Sequence, residues 1–135
     1  MSDPTPMNEP AGAYATSADV GARPEPWSHA WHDQLGLLYH RAIAEKIRRN
    51  PELRDLAVAN IGRWIQRNDY PQSVVRALTR WRELLTTAPV DELLSAMTDP
   101  SEQGHQDRQN TPFAGILTQE ERLRIRESHE KAGPP

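Results

Sequence analysis

Residues 28–67 read SHAWHDQLGLLYHRAIAEKIRRNPELRDLAVANIGRWIQR, and this stretch decides the fold. Trp31, Leu35, Leu38 and Ala42 recur at steps of four, three and four, the spacing of one helical face. Tyr39, Ile43 and Ile47 widen the stripe, so a helix is predicted from about Ser28 to Arg49. Asn50-Pro51 ends it and opens the next, because Asn is a favoured N-cap and Pro suits a first helical turn. Leu53, Leu56, Ala57, Ile61, Trp64 and Ile65 then line a second helix to about Arg67.

The same texture continues towards the C-terminus. Asn68-Asp69-Tyr70-Pro71 is a turn by composition, and Val74, Leu78, Trp81 and Leu85 predict a third helix over about 72–85. Pro89 fits the first turn of a short fourth helix carrying Val90, Leu93, Leu94 and Met97. Asp99 followed by Glu102 has capping-box spacing and starts a polar fifth helix or irregular segment to about Gln109. Thr118 and Glu121 repeat that spacing, which predicts a sixth helix from Gln119 to about His129, thinly apolar with Leu123 and Ile125. No stretch alternates with the period of a strand. The expected fold is all-α, a bundle of five or six helices over residues 27–130. Trp64 and Trp81 are expected in its core, and Trp27 and Trp31 at its end or against a partner.

Residues 1–26 differ. They hold five prolines and four acids against one Arg, with no Leu, Ile, Phe or Trp, too little apolar surface to offset the entropy of ordering. A disordered acidic tail is expected there, and a disordered C-terminus over 131–135. Apolar runs such as Leu37-Leu38-Tyr39 are far too short to span a bilayer, and Met1-Ser2-Asp3-Pro4 carries no secretory pattern. Cytoplasm is the expected compartment. With no cysteine in the chain, disulfides and thiolate chemistry are excluded.

The net charge of -3 conceals a segregation. Residues 41–82 hold ten basic groups against four acids, whereas 83–135 hold five against ten. Fourteen of the sixteen basic residues are Arg, whose planar fork binds carboxylate or phosphate bidentately. Arg63/Arg67 and Arg76/Arg80 each lie four apart, so each pair shares a helix face and repels itself unless an anionic surface approaches. Either the two halves neutralise one another within the fold, or that surface belongs to a protein partner or nucleic acid. A helix-turn-helix over 52–85 would expose Ser73, Arg76, Thr79 and Arg80, yet the overall acidity disfavours phosphate binding.

Little points to catalysis. His29, His32 and Asp33 cluster at the first helix, but zinc needs three or four ligands in a held geometry, and no metal site is expected. Ser28, His29 and Asp33 do not make a triad, because neighbours on one helix point apart. No phosphate-cradling loop, dinucleotide fingerprint or nucleophile elbow occurs. No enzyme, cofactor, small-molecule substrate or membrane contact is expected.

Residues 108–122, RQNTPFAGILTQEER, carry a resemblance. They look like the R-Q-x-[ST]-P-F-A-G-[aliphatic]-L-[ST]-x-x-E-R ending of small helical bacterial proteins of antitoxin type. Residues 48–53, 81–85 and 93–99 also match that pattern, so the resemblance spans 28–126. An aromatic is expected after Glu121-Arg122, and Leu123-Arg124 stand there instead. The resemblance implies a non-enzymatic protein that neutralises a cognate toxin by direct binding, with DNA a further partner if it represses its own operon. Independently of it, Pro112 biases Thr111 to extended backbone and Gly115 permits a sharp turn that carries Phe113, either to plug the bundle or to enter a pocket on a partner. The expected contact residues are Arg108, Phe113, Arg122, Arg63, Arg67, Arg76 and Arg80. The alternative is a small helical DNA-binding regulator.

Overall fold

A computed structural model describes residues 28–133. The acidic tail expected over 1–26, Trp27 and the last two residues lie outside that range. Among the described residues the chain is all-helical, with six α-helices and no strand: α1 His29–Arg49, α2 Arg54–Arg67, α3 Gln72–Thr87, α4 Val90–Met97, α5 Glu102–Arg108 and α6 Gln119–Lys131.

The caps explain the boundaries, and two of them correct the sequence reading. Ser28 caps α1 by accepting from the Trp31 N–H at 3.2 Å. Asn50-Pro51 opens not α2 but a 3-10 turn, Pro51–Leu53, and α2 begins only at Arg54. Asn50 Oδ1 accepts from the N–H of Glu52, which lets the chain turn before the helix starts. At α5 the cap is Ser101, which accepts from the Gly104 N–H. Asp99 instead takes the Ser101 N–H at 2.9 Å, folding the linker back and moving the helix start two residues on. The α6 cap is the reciprocal box, Glu121 N–H to Thr118 Oγ1 at 3.0 Å and Thr118 N–H to Glu121 Oε1 at 2.8 Å. That helix reaches Lys131 and buries no residue of its own, and Leu123 stays half exposed.

α2 and α3 pack together after the Asn68–Pro71 turn, where Asn68 takes the left-handed conformation (φ 59°) that Asn tolerates. α1 is the spine, touching α4, α5 and α6. The core joins Ile43 and Ile47 of α1, Ile61 and Trp64 of α2, Leu78 and Trp81 of α3, and Leu93 and Met97 of α4. Trp64 and Trp81 are core, as their faces predicted. Trp31 is also fully buried, closed over by α6: His129 stacks on its ring at 4.6 Å and Arg126 lies over it at 5.4 Å. No helix of the described residues is long and apolar enough to cross a membrane.

Candidate functional site

The segment between α5 and α6, residues 109–118, is irregular yet largely buried. Buried irregular backbone leaves carbonyls and amides without helical partners, so side chains must reach them. Asn60 of α2, itself buried, donates through Nδ2 to the carbonyls of Pro112 (3.0 Å) and Ala114 (2.9 Å). Lys46 of α1 donates to the Ile116 carbonyl at 2.8 Å and pairs with Glu121 at 2.9 Å. The Glu121 carboxyl is held below its usual range by the Thr118 N–H first and by Lys46 second.

His40 makes the third clasp. It is buried, with Nδ1 2.8 Å from the Gly36 carbonyl and Nε2 2.8 Å from Thr111 Oγ1. A carbonyl can only accept, so Nδ1 carries the proton and donates to it, and Nε2 accepts from the Thr111 hydroxyl. The same hydroxyl accepts from the Phe113 N–H at 3.3 Å. Burial is the largest cause of a His40 pKa pushed down to about 4, and Arg108 adds repulsion against the Gly36 carbonyl's opposing pull. These clasps lower the Phe113 ring edge-on between Trp81 (5.3 Å) and His40 (5.9 Å). Trp81 Nε1–H donates to the Asp107 carbonyl at 2.9 Å, closing the segment's other end. Gly115 sits at φ +90°, a conformation that a side chain would strain.

The expected contact residues divide accordingly. Phe113 is 2% exposed, so of the two roles open to it the plug of the bundle is the one adopted, and it is not presented as a contact: with so few apolar residues, the bundle uses its one Phe inside. Arg108 is 8% exposed and recessed rather than projecting. Arg122 is half-buried, its Nε enclosed without a hydrogen-bond partner, beside Tyr39. Burial pushes the Tyr39 phenol up, while Arg126 and Arg122 oppose that shift. Arg63, Arg67, Arg76 and Arg80 are all exposed. Arg63 donates to Asn60 Oδ1, Arg67 meets Asp69 and the Tyr70 ring, and Arg80 pairs with Asp107 at 2.9 Å. Arg76 engages no carboxylate of the described residues.

Sequence reasoning missed His40, Asn60 and Lys46. Each is a polar residue on or beside the apolar stripe of its helix, and that placement was the available signal. Among the described residues no three His, Asp or Glu side chains gather as metal ligands. Compared with known proteins, the chain matches no family model, no curated protein and no solved structure.

Proposed function

We propose that this chain is a non-enzymatic bacterial antitoxin acting in the cytoplasm, which neutralises a co-encoded toxin by direct protein binding. The observation that carries the reading is the 108–122 block. Its resemblance to antitoxin endings falls on a segment clasped to α1 and α2 and packed on Trp81 of α3, a rigid and largely buried part of the domain that fixes the helices around it. α2 and α3 also expose Arg63, Arg67, Arg76 and Arg80, suited to an acidic face of a partner. Binding blocks the toxin by occlusion or by filling an acidic or nucleotide-binding cleft with Arg.

The test is co-expression with the product of the adjacent reading frame, followed by pull-down at moderate salt. A small stoichiometric partner that is toxic alone and harmless with this chain supports the reading. Arg76→Ala should then weaken neutralisation while leaving the melting temperature unchanged. A non-toxic neighbour that is not captured sinks it.

A DNA-binding regulator is the second reading, favoured by the short turn between α2 and α3 and by exposed Ser73 and Arg76. On α3, however, the Thr79 hydroxyl is spent on the Val75 carbonyl and Arg80 on Asp107. Salt separates the two: DNA affinity falls steeply with ionic strength.

A further inference from the structure

A cleft of about 200 Å³ opens between the start of α1 and α5. Arg108 lies among its lining residues, almost wholly buried. The guanidinium is fastened at one end only. Nη1 donates to the carbonyls of Met97 at 3.3 Å and Asp99 at 2.7 Å, where α4 ends, and those bonds use both of its protons. Among the described residues the N–H donors on Nε and Nη2 have no hydrogen-bond acceptor, and neither nitrogen is sealed from solvent.

No carboxylate neutralises this buried cation directly. Asp99, Asp107 and Asp33 act on it through space, and none of them forms an ion pair with it. Asp99 accepts from the Ser101 N–H and Asp107 pairs with Arg80, while Asp33 stands at the cleft 3.4 Å from His105 Nε2, which accepts from the Gln109 side-chain amide. A buried charge without a contacting counter-ion is costly, and an arriving anion relieves that cost. The mount is also rigid. A Cβ on Gly104 would come within 2.1 Å of the Asp99 carbonyl oxygen, so α5 rests directly on the backbone that anchors Arg108.

We propose that this cleft receives one carboxylate side chain of a protein partner, gripped bidentately by Nε and Nη2 of Arg108. The proposal rests on the reading of the chain as a protein-binding protein and names the chemistry of one contact. Small-molecule sites run to about 300–1,000 Å³, so this volume suits a side chain better than a cofactor. Leu37 and Pro100 offer apolar walls for the methylenes of a Glu. Asp33 and Glu102 at the same cleft repel a phosphate dianion more than a monoanion. The free guanidinium edge matches the planar carboxylate.

The experiment uses the full-length chain, 15N-labelled, with N-acetylglutamate α-methylamide as probe and inorganic phosphate and chloride as controls at matched ionic strength. The Arg108 Nε–H resonance should shift and saturate with a dissociation constant of order 1–10 mM, as befits one charge-assisted pair. Gln34→Glu, on the exposed side of the cleft, places a carboxylate at its mouth and should weaken the probe at least tenfold with the fold intact. In Arg108→Lys, which lacks that resonance, the backbone amide shifts that the probe induces around the cleft in the wild type should disappear, and the Gln34 variant keeps the test valid if that one fails to fold. Absence of a saturable shift, an equal shift with chloride, or tighter phosphate binding overturns the proposal. None of these readouts needs the toxin. A chain that binds the probe but neutralises nothing refutes the antitoxin reading and leaves the cleft standing.

Discussion

Acid should loosen this domain through one residue, His40. In the folded chain its imidazole is neutral, enclosed between α1 and the 109–118 segment, with a pKa lowered to about 4 from the ordinary 6.5. The unfolded chain therefore binds the proton first, and stability rises with pH across that window. Above about pH 6.5 the His40 contribution is fully present, and it is lost as pH falls from about 6.5 to about 4. At 1.36 kcal/mol per pKa unit the loss totals about 3 kcal/mol, a large share of a small domain's stability. The cost is mainly desolvation of the imidazolium, because the Thr111 hydroxyl can rotate to accept from a protonated Nε2. Urea unfolding of the wild type and of His40→Gln between pH 7.5 and 4 isolates the effect, since other titrating groups are common to both. The difference in their unfolding free energies should change by about 3 kcal/mol over that range. Parallel pH profiles, or an imidazole that titrates near 6.5 by NMR in the folded chain, would refute the reasoning.

Four further substitutions probe the clasped segment and its supports. Asn60→Ala leaves the Pro112 and Ala114 carbonyls buried without a donor, and chemical denaturation should show a loss of about 2–4 kcal/mol. Phe113→Ala removes the ring packed on Trp81 and His40 and should cost about 3–5 kcal/mol; a melting temperature unchanged from wild type would return Phe113 to the surface. Gly104→Ala meets the Asp99 carbonyl and should destabilise by about 1–3 kcal/mol in a thermal melt. Gly36→Ala meets nothing within 4 Å inside α1 and should instead be neutral or stabilising by up to about 1 kcal/mol.

Helix positions were legible because their signals are local. Trp31, Leu35, Ile43 and Ile47 announce the buried face of α1 by spacing alone, and Thr118 with Glu121 announces the start of α6 by cap chemistry. The errors at Asn50-Pro51 and Asp99 were errors of competition: each side chain could bond to several nearby N–H groups, and the path of the linker chose among them. The exposure of the four paired Arg residues on α2 and α3 also followed from periodicity, since the opposite faces were needed for the core.

The candidate site was not legible in this way. Asn60 reaches carbonyls 52 and 54 residues away, and His40 meets Thr111 across 71, so no window of sequence contains both partners. The sequence by itself determined an all-helical chain, where its helices lie and which faces go inward, because periodicity and caps depend on residues within one or two turns. Only the tertiary structure decided that Phe113 faces the core, that Arg108 is anchored at one end and open at the other, and that His40 is a neutral clasp. Those outcomes depend on which polar groups lose water together, and that is settled when distant elements pack.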